Sequence, residues 1–248
     1  MVNANSNGFT LFFAVVACVV SGVLLSLASL GLKETQQLNI KVDKQKSVLQ
    51  AAGLYQTGDS KDKITGWFEG DNPTVKAFLI ETESGELHDA IAVEDYLKKP
   101  KNYSGISVIY ECNKAGEESY ILPIVGKGLW GKMYGYLALA KDGNNILGIR
   151  FYDHKETPGL GAKITEASFE NQFKTGKKLL IEKDGDWVER FQGIQVLKGS
   201  KVESKPEAEQ AYLIDGISGA TITSVGVQGI LEDYIRNTYG EFLKKRKS

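Results

Sequence analysis

The sequence predicts an α+β protein with one N-terminal transmembrane helix followed by a mixed-sheet domain. Three observations predict it. A long run near the start carries no charge. The rest of the chain alternates strand-like and helix-like stretches without strict βαβ order, which places sheet and helices in separate layers. An amphipathic helix with a basic end closes the chain.

The charge-free run occupies residues 9–32, after a short tail over 1–8, and no charged side chain occurs before Lys33. As a helix it extends roughly 36 Å, enough for a hydrocarbon core of about 30 Å. Backbone polar groups in lipid must satisfy one another, so the run is helical. A cleaved signal peptide has a basic start and a shorter apolar core; nothing basic precedes this run. Lys33, Lys41, Lys44 and Lys46 follow it. Taken alone, that bias places the following domain on the cytoplasmic side.

Residues 33–54 form a helical stalk by the spacing of Leu38, Val42, Lys46 and Leu49, with Gly53 available to end it. The globular domain fills 55–248. Residues 58–72 are polar and punctuated by glycine. Strands are expected at 75–80, 103–110 and 118–125. A glycine-rich turn follows, then a strand at 136–140, a hairpin turn at Asp142-Gly143-Asn144-Asn145 and a returning strand at 146–152. A helix suits 161–173, and short strands suit 178–181 and 193–196. Residues 203–210 are polar and exposed. Ser224 is the expected N-cap of the last helix. Its apolar stripe is Val227, Leu231, Tyr234, Ile235 and Thr238, and it ends in Lys244, Lys245, Arg246 and Lys247.

Composition narrows the function classes. The net charge of −1 offers no basis for nucleic-acid binding. The two cysteines, Cys18 in the apolar run and Cys112 in a strand, lie in different phases, so no disulfide joins them. No Cys/His spacing for zinc or an iron–sulfur cluster occurs, so no metal site is expected. Gly126-x-Gly128-x-x-Gly131 matches a dinucleotide fingerprint formally, but no long helix follows it.

One segment carries chemistry: Asp215-Gly216-Ile217-Ser218-Gly219-Ala220-Thr221-Ile222-Thr223-Ser224, just before the final helix. It is a tight turn of small residues opening into a helix N-terminus, where N–H groups and the dipole favour an anion. Hydroxyls at Ser218, Thr221, Thr223 and Ser224 supply donors and possible nucleophiles. It reads as a phosphate-binding turn with a nucleophile at hand. On residue type alone, an ordinary helix cap explains it as well.

The spacing Asp215-x-x-Ser218-Gly219-Ala220-Thr221 resembles the flavinylation signature of the FMN-binding-domain proteins. In that family the last threonine carries FMN through a phosphoester. The resemblance implies an FMN-binding region over about 120–240, with covalent FMN on Thr221 and Thr223 as the competing hydroxyl. Ser218, Gly219 and Ala220 shape the turn. Asp215 belongs to the sequence read by a separate flavin transferase that installs FMN from FAD.

Glu156-Thr157-Pro158-Gly159-Leu160-Gly161, after His154 and Lys155, is similar to the flavin-contacting loop of the same family. Pro158 stiffens that loop, Gly159 and Gly161 let backbone approach closely, Leu160 can lie on the ring and Thr157 can bond it. Glu156 and His154 either serve the flavin as proton or hydrogen-bond partners or merely orient the loop. Gly128-Leu129-Trp130-Gly131-Lys132-Met133-Tyr134-Gly135 resembles a segment of the branch that serves a sodium-pumping NADH:quinone oxidoreductase; the Rnf ferredoxin:NAD oxidoreductase branch is the alternative. Trp130 and Tyr134 either pack against the isoalloxazine or fill the core, and the core is the expected place.

The implied role is electron transfer inside a six-subunit Nqr membrane complex, with no separately catalytic residue and no complete activity alone. The implied location is the bacterial inner membrane, with the domain on the periplasmic side. That is opposite to the weak lysine bias. A membrane-tethered module binding a phosphate ligand without redox chemistry is the remaining alternative.

Overall fold

The computed structural model describes residues 7–174, 176–199 and 201–246. Most of the expected tail over 1–8, and Lys247 of the terminal basic run, lie outside them. Two compact units divide at residues 43 and 44.

The first unit is the N-terminal part of helix α1 (Asn7–Ala51). It contains the charge-free run, is long and apolar enough to cross a membrane, and buries none of its apolar window in the protein. The expected boundary between membrane helix and stalk is not a break in secondary structure: α1 runs through it without a proline, and Gly31 stays helical.

The second unit begins with the last turns of α1, whose Val48, Leu49 and Ala51 are buried. Gly53, at φ +69°, ends the helix: its N–H bonds Gln50 O and the next N–H, of Leu54, bonds Leu49 O. The stretch over 58–72 contains a short helix, α2 (Lys61–Gly66), capped by Ser60 Oγ accepting from Lys63 N at 3.2 Å. The remaining elements are β1 (Val75–Glu81), α3 (Val93–Lys98), β2 (Ile106–Lys114), β3 (Glu117–Lys127), β4 (Lys132–Ala140) and β5 (Ile146–Asp153). After them come three single turns, α4 (Ala167–Glu170), α5 (Trp187–Arg190) and α6 (Glu207–Gln210), with β6 (Gln195–Leu197) and β7 (Leu213–Asp215) beside the last two. The chain closes with α7 (Thr221–Gly229) and α8 (Ile235–Arg246), joined through a π-helical turn at Ile230–Tyr234.

Strands β1 to β5 form an antiparallel meander in sequence order, while β6 and β7 pair in parallel, so the domain is mixed as expected. The tip between β4 and β5 is the anticipated turn: Asp142 Oδ1 accepts from Asn144 N at 2.9 Å and Asn145 N at 3.0 Å. Alternation along each strand loads both faces of the sheet. On one face Leu122, Ile124, Met133, Leu137, Ile149 and Phe151 pack in a core with Val227, Leu231, Ile235 and Phe242 of the terminal helices. On the other, Tyr136 stacks on Tyr152 and meets Tyr110, which meets Phe68 edge-on. Burial pushes the Tyr110 and Tyr136 hydroxyls well above their ordinary range.

Two expectations about these elements need correction. Residues 161–173 are 3₁₀ and single α turns, because each turn is closed by local bonds such as Glu166 N to Lys163 O. Residues 178–181 make isolated bridges only; Leu179 and Leu180 donate their N–H groups to Asn144 Oδ1, not to a neighbouring strand. The parallel partner of β6 is β7, which three residues of sequence do not announce.

Fully buried Tyr239 ties α8 to the sheet, donating to Pro123 O at 2.7 Å and accepting from Ser107 Oγ at 3.0 Å. Tyr239→Phe keeps the ring but strands the Pro123 carbonyl. It is expected to cost about 1–3 kcal/mol, read as a lower denaturant midpoint at unchanged slope.

Candidate functional site

The turn after β7 is built by close approach. A side chain at Gly216 would press on Leu197 O, 2.5 Å from an ideal Cβ, and Gly216 N donates to that same oxygen at 3.0 Å. Gly219 takes φ +76°, a conformation that favours glycine. Ala220 N then bonds Ile217 O at 3.0 Å and α7 begins at Thr221.

Ser224 is therefore not the N-cap. It sits within the first turn, buried, and its Oγ reaches back to accept from Ile217 N at 3.1 Å. Its own N–H bonds Ala220 O at 3.0 Å, which closes the first helical turn. The residue at the cap position, Ala220, offers no side-chain bond. The first N–H groups of a helix have no partner within it, so this end is open to an anion.

The three threonine and serine hydroxyls of α7 differ sharply. Thr221 is exposed. Thr223 is 1% exposed and donates its hydroxyl to Glu156 Oε2; Ser224 is 2% exposed and bonded as described. Ser218 is exposed but lies outside the helix, three residues earlier.

The loop after β5 comes up against this turn. Thr157 O accepts from Leu160 N and Ala162 N, both at 3.1 Å, and Gly159 turns the chain at φ +74°. Thr157, Pro158, Gly159 and Leu160 are exposed. Leu160 abuts the glycine of the other turn, with Cδ2 3.2 Å from where a Gly219 Cβ would stand. Gly161 is buried, and a Cβ there would lie 2.6 Å from both Glu156 Oε2 and Thr223 Oγ1.

The third segment is the tip of the β3–β4 hairpin, closed by Gly128 N to Gly131 O at 2.7 Å. Its formal dinucleotide fingerprint is thus a turn between antiparallel strands. Trp130 N donates to Glu156 Oε1 at 3.0 Å. The Trp130 ring, expected in the core, is 65% exposed, because the hairpin tip projects beyond the sheet that would cover it. Tyr134 is half-buried. Leu129, Trp130, Leu160, Ile222 and Val225 all expose apolar surface on these three segments.

The structure separates Asp215 from this cluster. Its Oδ1 accepts from Val202 N at 2.8 Å and its Oδ2 pairs with Lys201 at 2.7 Å, pushing the Lys201 ammonium up. It lines a polar cavity of about 550 Å³ together with Gln172, Lys177, Glu203 and Glu207; Thr221 is not part of that lining. His154 stays on the loop, its Nδ1 accepting from Glu156 N at 3.1 Å.

Burial of Glu156, its bond to Thr223, and the contact at Gly226 were not legible in sequence. A Cβ at Gly226 would collide with Lys127 O, so this glycine lets α7 lie directly on β3. A glycine inside a helix costs about 1 kcal/mol relative to alanine, which was the available signal.

An exposed hydroxyl at an open helix end, small residues around it and apolar side chains beside it fit a phosphate-bearing group with a flat apolar part. Residues 128–236 match the family model described as the FMN-binding domain. The fold and site thus define a flavin-binding-domain protein with an N-terminal apolar helix. A relative from Pseudomonas aeruginosa, the NqrC component of the Na(+)-translocating NADH-quinone reductase, is 32% identical over 95% of this chain and 94% of its own. The crystal structure of the same component from Parabacteroides distasonis is 31% identical, with a TM-score of 0.67 over 86% of this chain and 96% of the other. The crystal structure of Shewanella oneidensis NqrC gives 26% identity and a TM-score of 0.68, covering 84% and 99%. The chain belongs to the NqrC family of the Na(+)-translocating NADH-quinone reductase, an oxidoreductase complex.

Proposed function

We propose that this chain is the covalent-FMN electron-transfer subunit of a sodium-pumping respiratory NADH:quinone oxidoreductase, with FMN joined to Thr221. The observation that carries the reading is the contrast along α7. Thr221 presents its hydroxyl at the open helix end, whereas Thr223 and Ser224 are buried with their hydroxyls engaged. The first-turn N–H groups of α7 would hold the phosphate of a phosphoester at Thr221 Oγ1. Ser218, Gly219 and Ala220 leave room for it. Leu160 and the exposed Ile222, Trp130 and Val225 offer apolar surface to an isoalloxazine.

Bound there, FMN supplies the one- and two-electron chemistry; the protein supplies position and electrostatics. No residue of this chain is required to bind NADH or quinone. A covalent tether suits a carrier that must stay within reach of a fixed donor and acceptor.

The names of the relatives support the complex. The partners proposed are the other subunits of a six-subunit assembly and a flavin transferase. The transferase splits the FAD pyrophosphate, so that Thr221 Oγ1 takes the FMN phosphoryl group and AMP leaves. The apolar run of α1 anchors the chain in the inner membrane, with the domain on the periplasmic side where the transferase acts.

Co-expression with the transferase and the remaining subunits tests this reading. A fluorescent flavin band is expected at this chain's mass on a denaturing gel of the purified complex. A purified complex containing this chain without the band contradicts it.

A further inference from the structure

We propose that Glu156 is a positioning residue: a buried carboxylate latch that holds the loop over 157–161 and the hairpin tip over 128–131 against the first turn of α7, and so fixes where the flavin rests. This inference rests on the placement of FMN at Thr221.

Glu156 is 5% exposed, though it begins a loop whose next four residues are exposed. A carboxylate in that position is costly unless its oxygens are bonded. Both are, and to different segments. Oε1 accepts from the backbone N–H of Trp130, 26 residues away; Oε2 accepts from the hydroxyl of Thr223, 67 residues away. The backbone N–H of Glu156 is held by His154 Nδ1 at 3.1 Å. The space is made for this side chain. A Cβ at Gly128 would collide with Oε1, and one at Gly161 would lie 2.6 Å from Oε2.

The three segments so joined are those that expose Trp130, Leu160 and Ile222. The hairpin tip and the loop leave the paired strands β4 and β5, whose ladder ends at Tyr134 and Asp153; beyond it Glu156 bonds the tip and also α7, which belongs to neither strand. Both oxygens of Glu156 are committed, one to Trp130 N and one to Thr223 Oγ1. It acts through Trp130 and Thr223. The latch also engages the Thr223 hydroxyl, the competitor of Thr221.

The chemistry dictates which substitutions preserve the latch. Gln at 156 keeps one acceptor for Trp130 N and gains a donor for Thr223 Oγ1. Ala loses both bonds. At position 223, Ser keeps the hydroxyl and Val does not.

The full-length chain, co-expressed with the flavin transferase, gives the test. Wild type, Glu156→Gln, Glu156→Ala, Thr223→Ser, Thr223→Val and Tyr239→Phe are compared by intact mass, visible circular dichroism of the flavin, flavin fluorescence anisotropy and amide exchange. Glu156→Ala and Thr223→Val are expected to carry FMN but to lose most of the induced dichroism, with anisotropy falling toward that of the denatured protein. Amide exchange over 128–131 and 157–161 is expected to rise at least about tenfold, as the loss of a bond to a charged group implies. Glu156→Gln and Thr223→Ser are expected to restore all three signals. Tyr239→Phe is expected to lower stability while leaving them unchanged.

Wild-type flavin signals in both Glu156→Ala and Thr223→Val, or the same loss in Tyr239→Phe, overturn the latch. Should Glu156→Ala not fold, the Thr223→Val and Thr223→Ser pair decides it alone. Absence of FMN from the wild-type chain counts against Thr221 as the attachment site. The exchange rates of the unloaded variants then decide the latch separately.

Discussion

Thr221→Val is expected to abolish covalent flavin on this chain, with no fluorescent band on a denaturing gel, while the fold and α7 persist. Thr221 is exposed at the first position of α7, and its side chain is engaged in none of the bonds that close the turn: these run from Ala220 N to Ile217 O, from Ile217 N to Ser224 Oγ and from Ser224 N to Ala220 O. Removing its hydroxyl therefore deletes the proposed point of attachment and little else, and surface substitutions of this kind change stability by less than about 0.5 kcal/mol. Thr221→Ser keeps the hydroxyl and is expected to retain flavin. The other two hydroxyls of α7 are not available in its place. Thr223 lies buried with its oxygen against Glu156, and Ser224 serves the turn itself. A Thr221→Val chain that still fluoresces under denaturing conditions contradicts the assignment.

The second large effect is on stability. Phe151 on β5 is fully buried, in the core that the sheet shares with α7 and α8. It packs tightly: its ring lies 3.1 Å from where a Gly135 Cβ would stand on β4, so the paired strand has a glycine to accommodate it. Phe151→Ala removes the ring and leaves a cavity that the paired strands cannot close, at a cost of about 3–5 kcal/mol. That is a large part of the ~5–15 kcal/mol that stabilises a domain. A fall in melting temperature on the order of 10 °C is expected. Leu129→Ala, at an exposed hairpin tip, is the control and is expected to change it by no more than a degree or two. A loss below about 1 kcal/mol for Phe151→Ala would show the site to be plastic.

The sequence made legible those features that depend on neighbours in the chain. The charge-free run required no tertiary information, and neither did the turn at Asp142-Gly143-Asn144-Asn145, whose aspartate accepts from the N–H groups of Asn144 and Asn145. The Ser218-Gly219-Ala220-Thr221 turn and the loop from Glu156 to Gly161 were found as motifs, and the structure sets Leu160 against Gly219.

What was missed depends on contacts between distant segments. Ser224 looked like a cap because serine before an apolar stripe usually is one; its oxygen instead bonds Ile217, and the helix starts three residues earlier. Trp130 resembled core by residue type, yet the hairpin carrying it extends past the sheet. Glu156 read as either a flavin partner or a residue orienting its loop. Its burial arises from Trp130 and Thr223, and no local pattern encodes either. The pairing of β6 with β7 is parallel and three residues long, too short for periodicity to register.

The most direct measurement is fragmentation mass spectrometry of the peptide that contains Ser218, Thr221 and Thr223, taken from chain expressed with the flavin transferase. One FMN residue is expected, attached as a phosphoester at Thr221. An unmodified peptide, or the added mass at Ser218 or Thr223, would contradict covalent attachment at that threonine.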